Sequence, residues 1–335
     1  SAGVAFSARA GIIRARGDSR TPLYVLAASS VLNIGLVLGL VLGTDLGVAG
    51  AALATVLAQL ATVAACLALV IKRMPLLRPR REDWRLRRED VMEQLSLGLP
   101  MGFQMSIIAI GTIVLQYAIN GLGSEAVASF TAGSRVEGLA MTPLQAFGMA
   151  IATYVAQNRG AGQWARIRKG VGQTAWLTIA ISVTVGFVCI VWGEHMVRAF
   201  AGGDEHADSI IAQAHILLVV SGLCFTSLGL LFVFRSALQG LGHSGIPTLS
   251  GVVELVLRSA VALTLVGPLG FLGACIAAPA AWVGALIPLW ISWEKRRREL
   301  LGWEREAAEM AALREAEDNT ALPDGDRGRE VAVTS

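Results

Sequence analysis

Apolar stretches about twenty residues long recur along this chain at residues 22–43, 46–71, 95–121, 126–157, 170–193, 209–236, 247–266 and 271–293. Each is long enough to cross the ~30 Å hydrocarbon layer of a bilayer as a helix. No water in that layer satisfies backbone N–H and C=O groups, so a spanning segment of this kind must be helical. The stretches are apolar nearly all round, which points to lipid and not to one face of a soluble core. Composition agrees: 54% of residues are hydrophobic and 16% charged, against about 25% charged in a soluble domain. The sequence reads as an all-α, polytopic membrane protein.

The formal net charge of +3 gives no reason to expect a nucleic-acid partner. Cys66, Cys189, Cys224 and Cys275 each lie inside an apolar segment. They read as small buried hydrophobes, neither a disulfide set nor a metal site. His195, His206, His215 and His243 show no metal-ligand spacing, and there is no G-x-x-x-x-G-K-[ST] loop for ATP. Neither a resident cofactor nor a bound metal is expected, and no enzyme site is recognised. No cleavable signal peptide is visible, and residues 2–13, too short to span, read as the end of a helix that starts upstream.

The basic residues set the expected topology. Arg14, Arg16 and Arg20 precede the first full span, and the connection 72–88 carries the most basic run, PLLRPRREDWRLRRED. Arg159, Arg166, Arg168 and Lys169 follow the fourth span, and Lys295-Arg296-Arg297-Arg298 follows the last. With alternating crossings all four fall on one side, expected to be cytoplasmic. The acidic loop Gly203-Asp204-Glu205-His206-Ala207-Asp208 falls on the other. The residues after Arg298 predict an amphipathic cytoplasmic helix and then, from about Asp318, a disordered tail. Pro143 in the long span 126–157 is a candidate kink.

An internal repeat divides the chain. Gly17-Asp18-Ser19-Arg20-Thr21-Pro22 matches Gly242-His243-Ser244-Gly245-Ile246-Pro247, and Gly47-Val48-Ala49-Gly50-Ala51-Ala52 resembles Gly270-Phe271-Leu272-Gly273-Ala274-Cys275. The expected organisation is the end of one lobe (1–73), a basic linker (74–94), a complete six-span lobe (95–294) and a charged tail (295–335). By symmetry the first lobe should begin about 130 residues before this chain does. Both repeats enter from the same side, so they are parallel repeats related by an axis along the membrane normal, as in two-lobe transporters.

At this point the sequence resembles a family. Gly11-Ile12-Ile13-Arg14-Ala15-Arg16 and the Gly17 turn resemble the connection between the fourth and fifth helices of MATE multidrug transporters. GVAGAALAT at 47–55 is similar to the start of their sixth helix, and Leu97-Gly98-Leu99-Pro100 to the start of their seventh. Gln157-Asn158-Arg159-Gly160-Ala161-Gly162 resembles the end of their eighth, and residues 235–247 their tenth-to-eleventh connection. The resemblance implies a two-lobe exporter of cationic or lipophilic small molecules in the cell membrane, driven by inward proton or sodium flow. It implies no obligatory protein partner. One branch of the family carries a carboxylate in the seventh helix, where this chain has Gln104, Gln116 and Asn120.

Ionisable side chains inside spans cost about 2.5–3.5 kcal/mol each at mid-bilayer, so each needs a reason. The candidates for ion or substrate coupling are Glu254, Arg258, Glu137, Arg135 and Gln104, with Arg235 also interior. Glu254 and Arg258 are spaced i, i+4 and can pair. Either they are a structural ion pair, or Glu254 is a proton-linked carboxylate whose change to Gln abolishes export by the complete protein while leaving it folded. The repeat maps Glu254 to Ser29 and Arg258 to Asn33, so the same helix is built elsewhere without charge. Arg135 and Glu137, two apart, point to different sides of one helix. Asn33, Met105, Met141 and Gln145 are expected to line a cavity, methionine suiting varied ligands. A lipid-linked-sugar flippase of related fold is the nearest rival and should show a more cationic cavity. An inactive remnant is the other.

Overall fold

The computed structural model describes residues 20–43, 47–73, 88–201 and 207–321. The partial helix at 2–13, the first turn of the repeat at 17–19, the basic run at 74–87, the acidic loop at 202–206 and the last fourteen residues lie outside the described residues. The described part is helical, with no strand: α1 (Arg20–Leu42), α2 (Gly47–Arg73), α3 (Arg88–Asn120), α4 (Ser124–Gly160), α5 (Trp164–Ala201), α6 (Ala207–Gly240), α7 (Gly245–Leu269) and α8 (Phe271–Ala321). All eight carry an apolar stretch long enough to cross a membrane, in the order the hydropathy pattern predicts.

The chain divides into two compact units between Met92 and Glu93. In the first, α1 and α2 pack as neighbours. The Ser29 and Thr62 hydroxyls bond to each other, and the Thr62 hydroxyl also lies 2.7 Å from the Ala58 carbonyl oxygen. Small polar residues of this sort join helices where lipid leaves no hydrophobic drive between them.

The second unit is built around α6, which packs against α4, α5 and α8, while α7 packs against α8. Its core joins Val136 and Leu144 of α4 to Leu218, Phe225 and Leu231 of α6 and Leu289 of α8. A smaller cluster joins Leu115 and Ile119 of α3 to Ala262 and Val266 of α7. Helices α5 and α6 approach backbone to backbone at Gly186 and Gly222, where an added methyl on Gly186 would stand 2.5 Å from the Gly222 carbonyl oxygen. The α6–α7 connection turns on Gly242, at φ 78°, a left-handed conformation that glycine adopts without a Cβ clash. Arg159, at the end of α4, donates to the Leu241 carbonyl at 2.6 Å and holds that turn in place.

Two local outcomes differ from the sequence reading. Helix α3 starts at Arg88, so Pro100 lies inside it and not at its first turn. Helix α8 does not end with its apolar stretch: it runs through the basic cluster to Ala321, 51 residues in all, about 77 Å at 1.5 Å per residue. The charged half is rich in Glu, Ala, Arg and Leu, all strong helix formers. Ion pairs one turn apart support it, Arg297–Glu294 at 3.3 Å and Arg296–Glu299 at 2.5 Å. It docks on the start of α5 through Trp164–Trp303, ring centroids 4.9 Å apart, and Arg168–Glu304 at 3.3 Å. Residues 318–321, placed in a disordered tail by the sequence reading, are the end of this helix.

Candidate functional site

Within the second unit α3, α4, α6, α7 and α8 line a half-open cavity of about 890 Å³. Much of its wall is apolar and adaptable: Met101 and Met105 from α3, Met141 and Met149 from α4, Phe232 from α6, Trp282 from α8. Set into that wall are four charged side chains, Glu137 from α4, Arg235 from α6, and Glu254 and Arg258 from α7. They are 5–9% exposed. A buried charge is tolerated only when paired and hydrogen-bonded, so their partners decide their roles.

Glu254 is held on both sides. Its Oε1 accepts from Arg258 Nη2 at 2.8 Å and its Oε2 from Arg235 Nη2 at 3.0 Å. The first contact follows from the i, i+4 spacing on α7; the second crosses from α6. Arg258 Nη1 also donates to the Thr112 hydroxyl of α3 at 3.2 Å. Arg235 Nη2 donates to the Ser250 hydroxyl at 3.4 Å, and Ser250 in turn donates to the Ala285 carbonyl of α8 at 2.9 Å. One carboxylate thus anchors a polar network that touches α3, α6, α7 and α8. Nearby, Gln239 Nε2 of α6 donates to Gln104 Oε1 of α3 at 3.2 Å.

Glu137 is placed differently. It faces the same cavity, yet its Oε1 has no hydrogen-bond partner among the described residues. The Ser221 hydroxyl of α6 is the polar group beside the carboxyl, and the Arg258 guanidinium acts on it through its charge.

Of the residues singled out from sequence, Glu254, Arg258, Glu137, Gln104, Met105, Met141 and Gln145 come together at this cavity. Two do not. Arg135 is exposed and does not line the cavity; two residues on from a helical position is about 200° round the axis, so burying Glu137 turns Arg135 away. Asn33 belongs to α1 in the first unit and does not line this cavity. Gln116 and Asn120 bond to each other at 3.1 Å on an exposed face of α3. The sequence reading counted Arg235 as interior without naming its partner, because nothing in a nineteen-residue separation across a turn points to Glu254. Gln239, Ser250 and Thr112 carried no signal beyond polarity near a span.

Bilayer-length helices gathered round a charged cavity define a polytopic helical membrane protein. The sequence profile of the MatE family matches residues 100–264, from α3 into α7. The probable multidrug resistance protein YoeA of Bacillus subtilis is 25% identical over 299 residues, 85% of this chain and 64% of that protein. The probable multidrug resistance protein NorM of Thermotoga maritima is 28% identical over 283 residues, 82% of this chain and 58% of that protein. A crystal structure of MATE in complex with MaL6 is similar in fold, with a TM-score of 0.83 at 21% identity, covering 89% of this chain and 67% of that one. The chain is thus similar in sequence to the MatE family across α3 to α7 and similar in fold to solved MATE structures, and its eight apolar helices make it a multi-pass membrane protein. It spans 58–64% of the length of these two relatives.

Proposed function

We propose that this chain is part of a secondary antiporter that exports organic cations and other xenobiotics in exchange for inward protons or sodium. The observation that carries the reading is the cavity itself: about 890 Å³ of largely apolar, methionine-lined space with a balanced set of buried charges in its wall. Small-molecule sites are typically ~300–1,000 Å³, mostly apolar, with a few placed polar groups. The relatives' names, multidrug resistance proteins, point the same way. The basic positions at Arg159, Arg166, Arg168 and the 295–298 run support a cytoplasmic side for those ends of the bundle, and the long end of α8 would then extend into the cytoplasm.

The flippase reading asks for a strongly cationic cavity. Here two arginines, Arg235 and Arg258, face two glutamates, Glu137 and Glu254, and the third arginine expected to contribute, Arg135, does not line it. That balance favours the exporter. The structure also changes what Glu254→Gln can tell. Its carboxylate holds two guanidinium groups, so loss of export in that variant would come mixed with loss of packing.

The test uses cells carrying the complete transporter and a fluorescent cation such as ethidium. Efflux should depend on an imposed ion gradient and should fall when Met141→Trp or Gln145→Trp fills the cavity. Efflux that is unaffected by both fillings, in normally expressed protein, would remove this cavity from the transport path.

A further inference from the structure

Granting the antiport reading, we propose that Glu137 on α4, and not Glu254, is the group that takes up and releases the coupling proton. Two acidic side chains line the cavity. Both oxygens of Glu254 are occupied, one by each guanidinium. A proton arriving there would dissolve two ion pairs and leave two buried cations without a counter-charge, a strongly unfavourable change. Glu137 has an oxygen, Oε1, that no described group bonds. A proton placed on it dissolves no ion pair, though it gives up the attraction of the Arg258 charge.

Groups from four helices act on Glu137 or are acted on by it. From α7 comes the Arg258 charge, and from α6 the Ser221 hydroxyl. From α5 and α8 come two thiols that sense its charge, Cys189 and Cys275. Arg235 and Glu254 share the cavity but are tied to each other. Among the described residues no group of three or more His, Cys, Asp or Glu side chains stands ready to hold a metal ion, whereas hard cations take about six oxygen ligands or more; a proton asks for only one oxygen. Among the described residues the buried Ser221 hydroxyl of α6 has no hydrogen-bond partner, nor have the Ser182 and Thr178 hydroxyls of α5, which meet α6 at Gly229. Such unpartnered groups in a dry interior are where water or a passing proton is accommodated.

The exchange also links ion to substrate. With Glu137 as carboxylate, the cavity's two acids balance its two guanidinium groups. With Glu137 as carboxylic acid, the sum is plus one, and an organic cation is repelled. Proton and cation would then compete for one residue, which is the condition for antiport. The step needs nothing else: the carboxylate gains a proton from one side and loses it to water on the other.

Infrared difference spectroscopy on the reconstituted complete transporter tests the assignment without needing transport. A pH step should show a carboxylic-acid C=O band that disappears as pH rises. The band should be lost in Glu137→Gln, shifted in Glu137→Asp, and retained in Glu254→Gln. Thermal melting of each variant checks that it is folded, and Glu137→Asp serves if Glu137→Gln is not. Downhill substrate efflux should vary with pH in the wild type and lose that dependence in Glu137→Gln. A wild-type band that persists in Glu137→Gln, or responds to sodium and not to pH, overturns the proposal. If the band behaves as described but no gradient drives export, the antiport reading fails and the proton assignment stands.

Discussion

Replacing Glu254 with leucine should destabilise the second unit severely, and replacing its two partners as well should restore much of what is lost. The carboxylate bonds Arg258 at 2.8 Å and Arg235 at 3.0 Å, with the three side chains 6–10% exposed. Burial at that level leaves little solvent to screen the charges. Removing one partner of a buried ion cluster costs about 3–5 kcal/mol, because the remaining charges stay buried and unpaired. Here two guanidinium groups are left, so the upper end of that range applies. At roughly 2–4 °C per kcal/mol for a unit of this size, the apparent Tm in detergent should fall by about 10–20 °C. The triple variant Glu254→Leu with Arg235→Met and Arg258→Met removes the charges together, and apolar replacement of whole buried ion clusters is often neutral or stabilising. Its Tm should return close to the wild-type value. The assay is thermal unfolding of the purified protein, followed by thiol labelling of buried Cys189 and Cys275. A single variant that melts with the wild type, or a triple variant as unstable as the single one, would refute the reasoning that Glu254 anchors the network by pairing.

Other substitutions probe other parts of the fold. Gly186→Leu, at a close backbone contact of α5 and α6, should cost about 1–3 kcal/mol by overpacking, read as a lower apparent Tm; an unchanged Tm would mean the helices are not this close. Trp303→Ala removes the ring that packs on Trp164, worth about 0.5–1.5 kcal/mol beyond area, and should speed limited proteolysis within residues 305–321; equal cleavage rates would show that the end of α8 is not docked. His243, in the α6–α7 connection, is held below its ordinary value by burial and then by the Arg296 and Arg159 charges. The unfolded chain therefore binds a proton there more readily than the folded one. Its contribution is complete above the unfolded value, about 6.5, and declines as pH falls through that value toward the lower folded one. His243→Gln should flatten the fall in Tm over that window; an identical Tm–pH slope in both proteins would contradict it.

The fold was legible where the bilayer dictates it. A span must be helical, apolar and about twenty residues long, so eight spans could be counted from hydropathy alone, and the i, i+4 spacing of Glu254 and Arg258 was enough to pair them. The site was legible only along single helices. Arg235 meets Glu254 across two helices, a relation set by how α6 and α7 pack and not by any local pattern. Arg135 and Glu137 were both interior candidates because hydropathy marks a span and not the face that turns inward. The direction is set by Val136, Ala140 and Leu144, which pack into the core with Glu137. The helix after Arg298 was legible from its residues; that it continues α8 without a break was not, because hydropathy ends the span where apolar residues give way to charged ones.

The most direct test of the central claim is whether substrate and ion move in opposite directions through the complete transporter. In proteoliposomes loaded with a pH-sensitive dye, a downhill flux of an organic cation should drive protons the other way, and Glu137→Gln should move cation without moving protons. Cation flux accompanied by neither proton nor sodium movement in the wild type would contradict antiport through this cavity.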